Sequence, residues 1–173
     1  MTRIRSFGEI DGVGVEEIAL TSDGGATASI LTIGAAIRGF EAPIRGGRRQ
    51  VALGFDSVEG YRDNGAHVGV MVGRCANRIA GGRFRLDGVE HRVLVNEGGR
   101  NTLHGGPMGF TRRIWSIVEA SADSVVLGLV SEDGDQGFPG RVEVRLVYRL
   151  RHAGTLDISA TATSDAPTPV NLA

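Results

Sequence analysis

The sequence predicts an all-β protein, an antiparallel β-sandwich or barrel, and three observations support this. Glycine accounts for 27 of the 173 residues, about twice its usual share of ~7%. Apolar and polar residues alternate along many short segments, which is the period of a half-buried strand. No long segment carries the 3.6-residue period of an amphipathic helix. The length suits one domain with a substantial core.

The first third of the chain predicts four strands and one helical turn. The strands are expected at residues 15–20, 28–33, 36–41 and 51–55. The polar, glycine-containing segment 21–25 separates the first two strands, and Gly34 marks a bend before the third. Residues 56–61 are expected to form a single helical turn.

The rest of the chain predicts paired strands joined by tight turns. Residues 83–86 and 89–93 flank Asp87-Gly88, and an Asp-Gly pair between alternating segments is a strong hairpin signal. Further strands are expected at residues 114–119, 124–130, 142–150 and 156–163. With the first group this gives about ten strands, as in a sandwich or barrel.

The pattern of the last residues predicts a strand that begins but is not completed. Residues 170–172 resemble the start of a new strand, and the sequence stops at Ala173. We therefore expect a truncated chain whose last sheet has an open edge. Such an edge favours self-association with another chain.

Composition excludes several classes of function. Nineteen basic residues balance twenty acidic ones, so no charge footprint for nucleic acid or a membrane surface is present. All basic residues are arginine, which excludes a Schiff-base lysine and a P-loop lysine. A single cysteine, Cys75, and the lack of an apolar leader or an apolar run of ~18 residues predict a cytoplasmic protein.

The first candidate site residue is His104, within Leu103-His104-Gly105-Gly106. An isolated histidine is more often a structural residue hydrogen-bonded in a turn. Here two glycines follow, and glycine permits a left-handed backbone and close approach of a ligand. An imidazole can give or take a proton near neutral pH. We therefore interpret His104 as a residue that contacts a small ligand.

Asn77-Arg78 is the second candidate, because an arginine fork beside an amide can bind adjacent hydroxyls. An exposed turn is an equally good interpretation of that pair. Trp115 is expected in the core rather than stacked on a sugar, and Cys75 is expected to be a buried, unreactive thiol. The loop containing Asp133 and Asp135 lacks the spacing of a calcium site, and no metal site is expected.

The segment Gly73-Arg74-Cys75-Ala76-Asn77-Arg78-Ile79-Ala80 resembles the aldose 1-epimerase (galactose mutarotase) family. Other family-like motifs follow the family's order and spacing and cover essentially the whole chain: Leu53-Gly54-Phe55-Asp56, Asn96, Leu103-His104-Gly105-Gly106, Gly109-Phe110, Trp115, Gly137-Phe138-Pro139-Gly140 and Thr168-Pro169-Val170-Asn171-Leu172. The resemblance implies a galactose mutarotase-like antiparallel β-sandwich that needs no metal or organic cofactor. Residues 1–173 would be the N-terminal portion of that single domain.

The resemblance also implies that Asn77, Arg78 and His104 line a site for a free aldose such as galactose or glucose. In the family a glutamate removes the proton of the anomeric hydroxyl while a histidine protonates the ring oxygen, and the opened ring recloses as the other anomer. His104 resembles a further histidine that contacts the sugar and supports this pair, so we expect both a binding and a catalytic role. The general-acid histidine and general-base glutamate would follow Ala173.

Three functions therefore remain. The first is an aldose 1-epimerase, with little activity expected from this length because each acid–base group contributes ~10²–10⁴-fold. The second is an inactive sugar-binding module, or a half-domain that needs a partner chain. The third is a hexose-6-phosphate epimerase using Arg112-Arg113, which the Asn77-Arg78 and Leu103–Gly106 motifs disfavour.

Overall fold

The computed structural model describes residues 3–152 and 154–173 and is built of strands. They are β1 Arg3–Ile10, β2 Val13–Thr21, β3 Thr27–Leu31, β4 Ile37–Ile44, β5 Gly47–Gln50, β6 Arg78–Ile79, β7 Arg83–Leu86, β8 Val89–Arg92, β9 Thr102–Leu103, β10 Ser116–Ala120, β11 Ser124–Ser131, β12 Val142–Leu150 and β13 Leu156–Ser164. A short helix, α1, spans Val58–Arg62. The predicted all-β class is confirmed.

Two antiparallel sheets pack face to face. The first has the order β1-β2-β3-β4-β5 and the second the order β10-β11-β12-β13, while β6 pairs with β9 and β7 with β8. Ile18 and Ile30 of the first sheet lie in one buried cluster with Leu127 and Leu146 of the second. The opposite face of the first sheet is covered by α1 through Tyr61. The architecture is therefore a sandwich rather than a closed barrel.

Strands with one buried face match the sequence prediction closely. β12 covers the nine predicted residues, and its side chains alternate between the core and the exterior. The β7–β8 hairpin turns through Asp87 and Gly88, whose φ angles of 50° and 83° suit a type I′ turn. Asp11 and Gly12 form an equivalent turn between β1 and β2, with φ angles of 51° and 78°.

The predicted strand at residues 51–55 is wrong. The chain there is irregular, and Leu53 is 81% exposed. Edge strands β1 and β5 were missed because β5 is fully exposed and β1 largely so, and burial does not impose an alternating pattern on an exposed strand. The predicted element at residues 170–172 is a single parallel bridge between Asn171 and Cys75.

Candidate functional site

A short strand pair brings the two predicted site segments together. β6 and β9 are antiparallel, with Arg78 opposite Leu103. One residue beyond each strand, the backbone N–H of His104 donates to the carbonyl oxygen of Asn77 at 3.0 Å. In return, the backbone N–H of Asn77 donates to Nδ1 of His104 at 3.0 Å. Both residues have left-handed backbones, with a φ angle of 52° at His104 and 64° at Asn77.

This reciprocal pairing fixes the chemical form of the His104 imidazole. Because Nδ1 accepts a hydrogen bond from Asn77, the neutral ring must carry its proton on Nε2. Partial burial lowers the pKa of His104, and the nearby Arg78 guanidinium lowers it further, against an opposing effect of Glu97. At neutral pH His104 is therefore an uncharged ring whose Nε2–H is the group free to donate to a ligand.

Arg78 is held by a carboxylate that the sequence analysis did not identify. Its Nε lies 2.9 and 2.7 Å from the two oxygens of Glu97, and Asn101 donates to the same carboxylate at 3.2 Å. Nη1 of Arg78 donates to the side-chain oxygen of Asn77 at 3.3 Å. The hydrogen bonds from Arg78 and then Asn101 lower the pKa of Glu97. The guanidinium side chain is still 55% exposed and can meet a ligand.

His67 is the second residue that the sequence analysis did not place in the site. Its ring packs edge-on against that of His104, with centroids 4.5 Å apart and an interplanar angle of 75°. Burial lowers the pKa of His67, and neighbouring His104 and Arg112 lower it further. Neither His67 nor Glu97 stands at a diagnostic spacing from His104 along the chain, so only the fold shows these contacts.

The glycines after His104 serve the protein's own packing. A Cβ added at Gly105 would lie 2.1 Å from the carbonyl oxygen of Gly73, and one at Gly109 would lie 2.4 Å from that of His104. The same Gly73 carbonyl accepts the backbone N–H of Phe110 at 2.9 Å. The expected close approach at Gly105 is thus made by the chain itself, which presses the two site segments together.

Arg74 anchors the first site segment to the second sheet. Arg74 is 2% exposed, and its terminal nitrogens donate to six oxygen atoms. These are the carbonyl oxygens of Ser131, Glu132, Pro139 and Gly140 and the hydroxyl oxygens of Ser131 and Thr168, at 2.7–3.2 Å. Burial lowers the pKa of Arg74, against the opposing effect of nearby aspartates. The segment therefore has a rigid support beneath Asn77 and Arg78.

Several other sequence interpretations can be checked directly. Trp115 is buried in the core, as expected, with its ring edge-on to Phe110. Cys75 is half-buried rather than fully buried. Its partial burial raises the pKa of the thiol, which disfavours a reactive thiolate. Asp135 accepts hydrogen bonds from Arg113 at 2.9 Å and from the Ser131 hydroxyl at 2.6 Å, so it stabilises its loop.

Residues 3–152 and 154–173 form neither a metal-ligand cluster nor a membrane-spanning helix. No group of three or more His, Cys, Asp or Glu side chains in these ranges is arranged to hold a metal ion. No helix in them is long and apolar enough to cross a membrane.

Comparison with known proteins identifies the family. The family model for aldose 1-epimerase matches residues 16–173. The chain belongs to the aldose 1-epimerase family. It is 39% identical over 163 residues to the aldose 1-epimerase of Escherichia coli, a match covering 94% of this chain and 47% of that protein. It is 40% identical over 169 residues to the galactose mutarotase of Bos taurus, covering 96% and 48%.

Solved structures of the family share the fold. An aldose epimerase homologue from C. elegans superposes with a TM-score of 0.84 at 31% identity, over 90% of this chain and 48% of that one. A galactose 1-epimerase from Lactobacillus acidophilus gives a TM-score of 0.85 at 26% identity, over 99% and 51%. The predicted galactose mutarotase-like sandwich is confirmed. The chain spans about half the length of the curated relatives it matches.

Membership of the family does not by itself assign the site. The fold brings Asn77, Arg78 and His104 together, but their roles in sugar binding and catalysis stay predictions. The cytoplasmic location expected from composition also stays a prediction.

Proposed function

We propose that this chain supplies one wall of an aldose-binding site in an aldose 1-epimerase that interconverts the α and β anomers of free hexoses such as galactose or glucose. The observation that carries the proposal is the reciprocal hydrogen bonding of Asn77 and His104, which aligns an amide, a guanidinium and a neutral imidazole. The relatives' names, aldose 1-epimerase and galactose mutarotase, support the same substrate class.

Each of these residues has a distinct part in binding. The Asn77 amide nitrogen and the Arg78 N–H groups that Glu97 and Asn77 do not occupy suit two adjacent sugar hydroxyls, because a planar guanidinium imposes direction as well as charge. Glu97 orients Arg78 before the sugar arrives. His104 donates its Nε2–H to a sugar oxygen, because its Nδ1 is already occupied by Asn77.

Ring opening needs a base at the anomeric hydroxyl and an acid at the ring oxygen. The carboxylate beside Arg78 is a weak base, since hydrogen bonds lower the pKa of Glu97. His104 can serve only one of the two oxygens at a time. We therefore expect a second imidazole and a general-base carboxylate to come from sequence outside these 173 residues. The chain alone should bind an aldose and accelerate its mutarotation little.

Two measurements on the purified chain test this proposal. Amide resonances of Asn77, Arg78 and His104 are followed by NMR during titration with galactose or glucose, and polarimetry follows freshly dissolved α-glucose. We expect the amide chemical shifts to change saturably with sugar concentration, and H104A to weaken the binding that they report. The mutarotation rate should stay within about tenfold of the rate in buffer, far below the ~10²–10⁴-fold acceleration that each acid–base group supplies. The H91A variant, which removes a histidine stacked on Phe84 of β7, is the control. Unchanged resonances at high sugar concentration would refute the proposed site.

The second sheet favours a further candidate, in which residues 1–173 are part of one domain completed by another polypeptide. Among the described strands, β13 pairs with β12 alone and leaves its other edge unpaired. Ile158 lies opposite the buried Tyr148 and Ala160 opposite the buried Leu146, so both face inward. Ile158 is nonetheless 49% exposed, and Ala160 is exposed as well. We propose that this edge associates with a second chain.

Sedimentation velocity over a range of concentrations tests association through β13. We expect dimers or larger species, and A160K should return the chain to monomers because an inward-facing charge opposes strand pairing. S159K, which places the same charge on the outer face of β13, should disrupt less. A monomer at all concentrations would contradict association through β13. The aldose site is tested separately by the NMR titration with sugar.

A further inference from the structure

His67 presents an uncompensated polar atom beside the candidate site. Its Nδ1 is buried and has no hydrogen-bond partner among residues 3–152 and 154–173. Its ring meets that of His104 at a centroid distance of 4.5 Å. A buried nitrogen without a partner costs free energy that an apolar ring of the same shape would not. The contact between the two rings is therefore kept at a free-energy cost to the folded chain.

The backbone around His67 is held in an unusual conformation from several sides. His67 has a φ angle of 54°, in the left-handed region. The Asn64 side chain donates to the Val68 carbonyl at 3.0 Å and accepts the Val68 N–H at 2.9 Å, so it closes the loop around His67. The Gly69 carbonyl accepts the Ile37 N–H at 2.8 Å, which ties the loop to β4. Such strain persists only where the surroundings impose it.

We propose that His67 is a positioning residue for His104. The edge of its ring confines the His104 imidazole to the orientation in which Nδ1 accepts from Asn77 and Nε2–H is presented to the ligand. The role of the presented Nε2–H in ligand binding rests on the proposed aldose site. The orientation of the His104 ring itself is defined by its contacts with His67 and Asn77.

The charges around the two rings favour keeping both neutral. The charges that act on His67 are those of Arg112 and His104, and those that act on His104 are Arg78 and Glu97. Protonation of one imidazole opposes protonation of the other, and of the described groups acting on the two rings Glu97 alone favours a charge. A proton on Nδ1 of His104 would also break the hydrogen bond from Asn77. The contact between the His67 and His104 rings therefore preserves the Nε2–H form of His104 near neutral pH. Protonation as the pH falls weakens this arrangement.

NMR of ¹⁵N-labelled histidine tests the proposal on the whole chain without any sugar. In the parent chain we expect the Nε2–H tautomer at His104 and a pKa below the ordinary range. H67A should give a tautomer mixture, a shifted Asn77 amide resonance and a His104 pKa closer to its usual value, because water reaches the ring. H67F should keep the tautomer, the Asn77 amide shift and the His104 pKa at the parent values, since phenylalanine keeps the aromatic edge. H91A should leave them unchanged.

The same samples separate this proposal from the proposed function. H67A should also weaken aldose binding roughly two- to tenfold, the worth of one neutral hydrogen bond. If H67A does not fold, H67L replaces it, since leucine fills volume without an aromatic edge. The proposal is overturned if H67A or H67L leaves the tautomer, amide shift and pKa at parent values, or if H67F perturbs them as much as H67A. A parent chain with the Nε2–H tautomer but no response to sugar would refute the aldose site alone.

Discussion

Replacing Arg74 by alanine tests whether one buried guanidinium holds the first site segment in place. The two terminal nitrogens of Arg74 donate to six oxygen atoms on residues 131–140 and Thr168. Four of those oxygens are backbone carbonyls, which R74A would leave without this donor. The guanidinium also lies 5.6 Å from the centre of the Phe138 ring. The substitution therefore removes hydrogen bonds and packing together.

The magnitude follows from opposing effects. Hydrogen bonds to a charged group are each worth about 1.5–3 kcal/mol, and a simple sum over six would overshoot because burying the guanidinium is itself costly. The lowered pKa of Arg74 reflects that cost. Leaving a buried acceptor without its donor costs about 1–3 kcal/mol, and the cavity left by the truncated side chain adds to the loss. We expect R74A to lose about 4 kcal/mol of the ~5–15 kcal/mol that such domains possess.

Urea unfolding, followed by the fluorescence of the single tryptophan, Trp115, measures this loss. R74K should lose less, about 2 kcal/mol, because the ammonium keeps the charge but cannot reach two separate groups of acceptors. R149A removes an exposed arginine from β12 and should stay within ~0.5 kcal/mol of the parent. An R74A variant as stable as R149A would refute the reasoning. If R74A does not fold, the comparison of R74K with R149A decides.

Three further substitutions test the site. G105A should destabilise by roughly 2–4 kcal/mol, from left-handed strain of about 1–2 kcal/mol and a steric clash. G88A has the same positive φ but open space around it, and should cost the strain alone in the same urea experiment. In R78A, carboxyl NMR should show the pKa of Glu97 rising toward its ordinary value, since hydrogen bonds from Arg78 lower it. In the parent, the stabilisation of the fold by this ion pair is present above about pH 4.5 and is lost as the pH falls. An unshifted Glu97 would contradict the ion pair. H67F should be more stable than the parent, and the gain in unfolding free energy should grow below about pH 6.5, because the lowered pKa of His67 makes protonation favour the unfolded chain. A constant difference across that range would contradict this sign.

Much of the fold could be predicted because one face of each central strand is buried. β12 was found from alternation, and the β7–β8 hairpin from Asp87-Gly88. β13 also alternates in sequence, although it is an edge strand and largely exposed. The turn at Asp11-Gly12 carried the same signal and would have indicated β1. Strand β5 had no such signal, because it is exposed on both faces. Residues 51–55 form a short continuous apolar segment, but the fold leaves Leu53 exposed and builds no strand there.

The sequence by itself determined the family, the sandwich and the two segments that carry Asn77, Arg78 and His104, because motifs and strand periods are local along the chain. Only the tertiary structure decided the state of those residues. The Glu97 carboxylate on Arg78, the His67 ring on His104 and the Asn77 N–H on Nδ1 join residues 19, 37 and 27 positions apart. No local pattern encodes such contacts. They exist because the sheets, the β6–β9 pair and the buried Arg74 bring distant backbone segments within hydrogen-bonding distance.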